Sequence, residues 1–204
     1  MQESLPGVMF RAGGTATPRR ALFLDRDGVI NVDRRYVHRI ADFEFMPGVL
    51  DAAARFAQSG HAIVVVTNQA GIARGYYGVE DFYALTRWMG ARFAEAGAPL
   101  DAVYFCPHHP EATVAQLRCK CVCRKPEPGM IRRAALELNL ELPASILVGD
   151  KFSDIAAGRA AGVGRCILVR SADHPQPSAD DLPQGVQATA DAVVPGLPAA
   201  LDRI

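Results

Sequence analysis

The sequence predicts an α/β protein with a Rossmann-like, mostly parallel sheet that is covered by helices on both faces. Short runs of aliphatic and β-branched residues alternate along the chain with longer helix-like stretches, which is the order typical of such a sheet. Polar residues follow the first four predicted strands directly, where ligands bind in open sheets of this class. The length of 204 residues suits a single domain.

The first half of the alternation begins at residue 21. Strand 21–25 is an apolar run that ends in an aspartate, and helix 48–59 is rich in alanine and stops at a glycine. Strand 61–67 is β-branched throughout its centre, as expected for a strand buried on both sides. Helix 79–96 is amphipathic and also stops at a glycine, and strand 101–106 follows it.

The second half of the alternation follows a polar loop. Helix 129–140 leads to strand 145–149, and helix 153–161 leads to strand 165–169. The tail beyond is rich in Pro, Asp and Ala and has one short apolar run at 192–194. Residues 1–19 are predicted to form a flexible leader, and residues 20–204 a single domain.

The composition excludes several classes of protein. Twenty-two basic and 22 acidic residues give a formal net charge of zero, which argues against a general nucleic-acid binder. The longest aliphatic run, 62–66, is far shorter than the ~20 residues that span a bilayer, so we expect no membrane association. The first twenty residues show no signal-peptide core, which predicts a cytoplasmic protein, and nothing in the sequence demands more than a monomer.

Two aspartates lie directly after the first predicted strand. Asp25 and Asp27 can face the same cavity, and Gly28 lets the chain turn sharply away from it. Such a pair can bind Mg²⁺, attack phosphorus to form an aspartyl phosphate, or deliver a proton. The alternative is a turn with two solvated carboxylates, and the functional interpretation is favoured.

Two more carboxylates follow the fourth predicted strand. Asp150 is predicted to ligate a metal, and Asp154 to hold the loop behind it. Ser153 or Asp154 could also cap the next helix, and both interpretations can hold together.

Two dipeptides are weak signals alone but complete a phosphoryl-transfer set. Thr67-Asn68 could be an ordinary loop start, and Arg124-Lys125 an ordinary surface pair. Together they offer the hydroxyl or amide donor and the ammonium that a transferring phosphoryl group needs beside a metal.

The loop 106–123 carries a metal-ligand pattern of its own. Cys106-x-His108 and Cys121-x-Cys123 provide a Cys₃His set, which suits tetrahedral Zn²⁺ and leaves no open position, so the zinc would be structural. His109 and Cys119 compete as ligands on spacing grounds. Reduced surface thiols are the alternative to a zinc site.

The four phosphoryl-transfer motifs, taken in order, resemble the haloacid dehalogenase superfamily of phosphatases. The motifs are Asp25-x-Asp27-Gly28, Thr67-Asn68, Lys125-Pro126 and Gly149-Asp150-x-x-x-Asp154. The gaps between them are too short for a separate cap domain, so substrate choice is left to loops.

This resemblance implies a role for each matching residue. Asp25 would be the nucleophile and a Mg²⁺ ligand, and Asp27 would be the general acid and base, with its backbone carbonyl on Mg²⁺. Thr67 and Lys125 would hold the phosphoryl oxygens, and Asp150 would complete the magnesium site.

Longer segments narrow the resemblance to the D-glycero-D-manno-heptose-1,7-bisphosphate 7-phosphatases. The segments include Cys-Pro-His-His-Pro at 106–110 and Cys-x-Cys-Arg-Lys-Pro at 121–126. The resemblance implies a sugar bisphosphate as substrate, in the synthesis of ADP- or GDP-activated heptose. The substrate-binding residues that it implies are Asp33, Arg34, Arg35, Tyr36, Thr67, Asn68, Gln69, Ala70, Arg124, Lys125 and Lys151.

Two alternatives remain. Histidinol-phosphate phosphatase shares the superfamily motifs and a zinc loop, but its cationic substrate should prefer acidic neighbours, whereas Arg34, Arg35, Arg124 and Lys151 suit a more anionic one. The other is an inactive, zinc-stabilised binding module, which the intact aspartates and the zero net charge oppose.

Arg124, with its bidentate fork, is the residue placed to reach a second phosphate.

Overall fold

The computed structural model describes residues 8–9, 17–170 and 189–203. Within these residues one sheet is formed by seven strands. The strands are β1 (Val8–Met9), β2 (Ala21–Leu24), β3 (Ala62–Asn68), β4 (Ala102–Cys106), β5 (Ile146–Gly149), β6 (Arg165–Val169) and β7 (Ala192–Val194). Their order across the sheet is β1-β4-β3-β2-β5-β6-β7. The six strands β2 to β7 are parallel, and β1 adds an antiparallel strand at one edge.

The helices of the described residues lie between and after these strands. They are α1 (Val49–Gln58), α2 (Ala70–Ala73), α3 (Val79–Glu95), α4 (Gly129–Leu138), α5 (Phe152–Ala161) and α6 (Leu197–Ala200). None of them is both long and apolar enough to cross a membrane.

Alternate side chains of the buried strands feed two separate cores, one on each face of the sheet. In β3, Ile63 and Val65 pack with α1, α3 and α6, whereas Val64 and Val66 pack with α4 and α5. The strand must therefore be apolar along its buried body, which explains the unbroken aliphatic sequence of residues 62–66. Helices on both faces of a mostly parallel sheet confirm the predicted fold class.

Chain direction brings four polar strand ends to one edge. The chain leaves the central strand β2 toward β3 and β4, and later returns to the other side of β2 as β5. Because the strands are parallel, the residues that follow β2, β3, β4 and β5 share one edge of the sheet, next to the point where the strand order reverses. No cap domain interrupts these crossovers in the part of the chain that is described.

All nine predicted elements are present, with bounds that differ by at most two residues. The structure adds β1, α2 and α6, and turns the apolar run of the tail into β7. β1 lies inside the segment predicted to be a flexible leader and pairs with β4; residues 1–7 and 10–16 of that segment lie outside the described residues, so its flexibility stays a prediction.

Candidate active site

A cleft of about 990 Å³ opens at the carboxyl edge of the sheet. Most of the residues that line it are of polar or charged types, and they come from the segments after β2, β3, β4 and β5. The residues that line it are Asp27, Asp33, Arg35, Tyr36, Asn68, Gln69, Ala70, Tyr77, Pro110, Glu111, Arg124, Lys125, Pro126, Lys151 and Ser153. Most of the residues predicted to bind substrate therefore share one cavity.

Asp25 and Lys125 form an ion pair at the buried end of this cleft. The Lys125 Nζ atom lies 2.9 Å from Asp25 Oδ1, and the Arg26 backbone N–H donates to the same oxygen over 2.8 Å. Burial opposes ionisation of Asp25, but the charges of Lys125 and Lys151 outweigh it and hold the pKa of Asp25 below its ordinary value. The carboxylate is therefore charged and fixed in rotation, as a nucleophile must be.

Asp154 holds the same ammonium from the other side. Its Oδ1 lies 2.6 Å from Lys125 Nζ, which also donates to the Val66 carbonyl over 2.8 Å. Asp154 Oδ2 accepts the Lys151 backbone N–H over 2.9 Å at the start of α5. Both carboxylate oxygens are engaged, so Asp154 positions Lys125 and the loop.

Asp150 has the arrangement expected of a metal ligand. It forms a group with Asp25 and Asp154 whose oxygens lie within 4.8 Å of one another. Its Oδ1 is buried with no hydrogen-bond partner among the described residues, and burial, together with the charge of Asp25, raises its pKa well above the ordinary value. A hard divalent cation such as Mg²⁺ fits this set of oxygen donors.

Gly28 is required by this arrangement. Its φ of +87° lies in the left-handed region, and a Cβ there would lie 2.4 Å from Asp150 Oδ2. The glycine after the aspartate pair therefore lets the first loop approach the fourth one closely.

Asp27 is held apart from the other carboxylates by donors of its own. Arg26 Nη2 lies 2.9 and 2.8 Å from the two carboxylate oxygens of Asp27, and Asn31 Nδ2 donates to Oδ1 over 3.0 Å. Arg26 is buried, and the same Nη2 also donates to the Val37 carbonyl over 2.7 Å. The Asp27 carboxylate thus lines the cleft in a fixed orientation.

The predicted zinc ligands converge in one group. The sulfur of Cys106 lies 3.6 Å from that of Cys121 and 3.2 Å from that of Cys123, and His108 Nδ1 lies 3.4 Å from the Cys123 sulfur. These separations are too long for a disulfide and close to the ~3.7 Å expected between ligands of one tetrahedral Zn²⁺.

The three thiols of this cluster differ in their tendency to ionise. Hydrogen bonds from Cys106 and Cys123 lower the pKa of the Cys121 thiol, whereas hydrogen bonding to Cys121 and burial raise the pKa values of Cys106 and Cys123. Zinc binds the thiolate form, so its binding would release the protons that these two thiols hold. The two competing ligands stand outside the group. His109 Nδ1 accepts the Glu111 backbone N–H over 3.1 Å, and Cys119 is exposed.

Known proteins match most of the chain. A HAD-hydrolase-like family model matches residues 122–200. A D-glycero-beta-D-manno-heptose-1,7-bisphosphate 7-phosphatase of Yersinia pestis is 47% identical over 179 residues, which cover 82% of this chain and 95% of that protein. The protein of the same description from Escherichia coli K12 is 46% identical over 178 residues, with 82% and 93% covered.

A solved structure agrees with these relatives. The crystal structure of D,D-heptose 1,7-bisphosphate phosphatase from B. bronchiseptica, complexed with magnesium and phosphate, is 32% identical and superimposes with a TM-score of 0.74. The match covers 90% of this chain and 97% of that one. The chain belongs to the heptose-1,7-bisphosphate 7-phosphatase family. It is a phosphoric monoester hydrolase of the HAD-like fold.

The loop after β2 contributes three of its four predicted substrate-binding residues to the cleft. Asp33, Arg35 and Tyr36 line the cleft, and Asp33 Oδ2 lies 3.6 Å from Lys151 Nζ across it. Arg34 does not line it. The Arg34 side chain is 58% exposed and forms an ion pair with Glu44, and its role in substrate binding stays a prediction.

The side chains of the loop after β3 bind one another and the backbone of Lys125. Asn68 donates to the Lys125 carbonyl and accepts the Lys125 backbone N–H, each over 3.1 Å, so its amide clamps the lysine backbone. Thr67 is 1% exposed and its hydroxyl accepts a hydrogen bond from Gln69 Nε2 over 2.8 Å. Ala70 begins α2 and lines the cleft.

Sequence reasoning missed several residues of this site, among them Arg26 and Tyr77. Arg26 lies between the two aspartates, where a buried guanidinium gives no periodic signal. Tyr77 lies in a turn after α2 and reaches the cleft only through the tertiary fold.

Proposed function

We propose that the chain is a Mg²⁺-dependent phosphatase that removes the 7-phosphate of D-glycero-D-manno-heptose 1,7-bisphosphate through an aspartyl-phosphate intermediate. The observation that carries the proposal is the buried group of Asp25, Lys125 and Asp150, with Asp27 beside it in an open, polar cleft. The names of its relatives provide the substrate, which belongs to the synthesis of nucleotide-activated heptose.

Two displacements at phosphorus make up the reaction. A carboxylate oxygen of Asp25 forms a bond to phosphorus as the bond from phosphorus to the sugar oxygen breaks, and Asp27 gives its proton to that leaving oxygen. Water then attacks the phosphorus of the aspartyl phosphate and gives a proton to Asp27. Inorganic phosphate leaves, and the Asp25 carboxylate is restored.

The chain provides fixed charge for both displacements. Lys125, with a buried ammonium, and Thr67, with a buried hydroxyl, are the groups that we assign to the phosphoryl oxygens. Asp25, Asp150 and the Asp27 backbone carbonyl are the residues that would hold Mg²⁺. A bound Mg²⁺ would reduce the repulsion between the Asp25 carboxylate and the incoming phosphate.

We assign the second phosphate to the part of the cleft that Arg124 and Lys151 line. Arg124 lines the cleft, and its Nη1 donates to the His108 carbonyl over 3.3 Å, which leaves the rest of the guanidinium fork for a ligand. Lys151, 43% exposed, faces the same space. These cations distinguish a bisphosphate from histidinol phosphate, whose amine they would repel.

The proposal predicts an order of substrates that steady-state kinetics with Mg²⁺ can check. The β anomer, which the relatives' names specify, should have the highest kcat/KM, followed by the α anomer, and histidinol phosphate should be a poor substrate.

Arg124→Ala should lower kcat/KM for the bisphosphate by about one to two decades, because a charge-assisted hydrogen bond is lost. It should leave p-nitrophenyl phosphate, which has no second anion, nearly unchanged.

Other outcomes would reject parts of this proposal. If histidinol phosphate is the preferred substrate, the chain is a histidinol-phosphate phosphatase instead. If no phosphate ester is hydrolysed in the presence of Mg²⁺, the alternative of an inactive binding module is favoured. If Arg124→Ala lowers both esters equally, Arg124 serves the reacting phosphate or the fold.

We infer that the Cys₃His group binds a structural Zn²⁺ that braces the arm carrying Arg124 and Lys125. Cys123 precedes Arg124 directly, and the Arg124 guanidinium bonds to the backbone of His108, another member of the group. All four ligand positions come from the protein, so this metal would take no part in the displacements.

The zinc site predicts a contrast between two neighbouring cysteines. Cys121→Ser should lower the zinc content of the purified protein from about one per chain and lower the melting temperature, because metal binding and loop folding are coupled. Cys119→Ser is the matched control and should keep both values. Elemental analysis and thermal unfolding make the measurement. Zinc loss in the Cys119 variant, with normal zinc content in the Cys121 variant, would mean that Cys119 and not Cys121 is the ligand.

A further inference from the structure

A tyrosine outside the predicted site is joined to the phosphoryl-binding threonine through one glutamine. The Tyr77 hydroxyl donates to Gln69 Oε1 over 2.6 Å. Gln69 Nε2 donates to Thr67 Oγ1 over 2.8 Å and lies 3.4 Å from Asp27 Oδ2. One amide therefore lies between the tyrosine on one side and two groups of the reaction on the other.

The environment dictates which way this amide faces. Asp27 Oδ2 lies 2.8 Å from Arg26 Nη2 and 3.4 Å from Gln69 Nε2, so the nitrogen of Gln69, a donor, is the end of the amide that lies beside this oxygen. Gln69 Oε1 then faces Tyr77 and needs a donor. Burial raises the pKa of Tyr77 above its ordinary value, so the phenol stays neutral and can donate.

The orientation of the amide sets the orientation of the threonine hydroxyl. A hydroxyl has one proton to donate and two lone pairs that accept. Because Thr67 Oγ1 accepts from Gln69 Nε2, the threonine proton is directed elsewhere and stays available for a phosphoryl oxygen. With the amide turned over, Gln69 Oε1 would take up that proton instead.

We propose that Tyr77 is a positioning residue that fixes the Gln69 amide and so keeps the Thr67 hydroxyl as a donor to the transferring phosphoryl group. The inference rests on the proposed function, since it assigns Thr67 to that group. Tyr77 itself acts through Gln69.

The fold holds the Tyr77 ring in place on two sides. His38 stacks on it with ring centroids 4.7 Å apart and an interplanar angle of 5°. On another side lies Gly71, where an added Cβ would be 2.1 Å from the ring and 2.9 Å from the hydroxyl. The glycine therefore provides the room for this tyrosine, and the hydroxyl has little freedom to move.

Tyr77→Phe tests the hydroxyl while it keeps the ring. We expect kcat/KM to fall about fivefold to twentyfold, by the same factor for heptose bisphosphate and p-nitrophenyl phosphate, since both present phosphoryl oxygens to Thr67. The melting temperature should stay close to the wild-type value. Tyr83→Phe is the control: Tyr83 is partly buried against Phe105, does not line the cleft, and should show wild-type kinetics.

A second background separates positioning from packing. In a Gln69→Ala protein, Tyr77→Phe should have no further effect on kcat/KM, because the group it acts through is gone. A further fall in that background, or unchanged kinetics of Tyr77→Phe in the wild-type background, would overturn the inference, and so would a fall for the sugar phosphate alone. Because p-nitrophenyl phosphate is a generic ester, its kinetics test the role of Tyr77 whatever the natural substrate is. The identity of the natural substrate is tested separately, by the kinetics of the wild-type protein.

Discussion

Asp25→Asn is expected to abolish phosphatase activity, with kcat reduced at least about 10³-fold, while the protein remains folded. An amide oxygen is a poor nucleophile and carries no charge, so the bond to phosphorus cannot form. Little packing changes, because asparagine has nearly the same shape. Lys125 keeps its other partners, Asp154 and the Val66 carbonyl, so its buried ammonium stays paired.

The measurement combines turnover with a direct view of the intermediate. Wild-type protein quenched during turnover should carry one phosphoryl group on the peptide that contains Asp25, and the variant should carry none. Asp25→Ala should behave in the same way, and it also controls for asparagine that reverts to aspartate by deamidation. Asp42→Asn, which changes a partly exposed aspartate that pairs with Arg39, should keep full activity. Substantial turnover by a well-folded Asp25 variant would disprove the assignment of the nucleophile.

Sequence patterns predicted those features of the protein that depend on residues close together in the chain. The strands were recognisable because both faces of the sheet are covered, so that β3 is apolar at nearly every position. The aspartates were recognisable because they directly follow predicted strands, the cysteines because of their paired spacing, and Lys125 only in combination with the other motifs. The four-residue helix α2 and the two-residue strand β1 are too short to show any period.

The features that the sequence did not show depend on contacts between distant segments. Arg34 is predicted to bind substrate, and the structure adds an exposed ion pair between its guanidinium and Glu44. Asn68 lines the cleft, and its amide also binds the Lys125 backbone, 57 residues away. Tyr77 reaches the site only because Gly71 and His38 leave a slot for its ring. None of these contacts can be predicted from the pattern of residues within one segment of the sequence.

Lys125→Met is expected to remove both activity and a large part of the folding free energy. The lysine side chain is 2% exposed, and its ammonium contacts Asp25, Asp154 and the Val66 carbonyl. Methionine fills a similar space without charge, so Asp25 and Asp154 would be left buried without a cation between them. Breaking a buried ion pair by removing one partner costs about 3–5 kcal/mol, and we expect a loss of that order in the free energy of unfolding.

The loss should depend on pH with a defined sign. Burial already raises the pKa of Asp154 and, more strongly, that of Asp150, and without the ammonium both should rise further. A carboxyl with a raised pKa holds its proton in the folded state over a range where the unfolded state has lost it. Stability of the variant should therefore fall as pH increases above about 4, the ordinary carboxyl pKa, more steeply than that of the wild type. Denaturant titrations across this range in the presence of a chelator make the measurement.

A second substitution separates the two roles of the lysine. Lys125→Met/Asp154→Asn removes one of the unpaired carboxylates and should recover part of the lost stability and flatten its pH dependence. Turnover should stay at least about 10³-fold below that of the wild type, because no ammonium faces the phosphoryl oxygens. If the double variant regains turnover together with stability, Lys125 serves the fold alone. If the single variant is as stable as the wild type, the two carboxylates do not depend on Lys125 for their charge, and Asp154 has a role other than holding it.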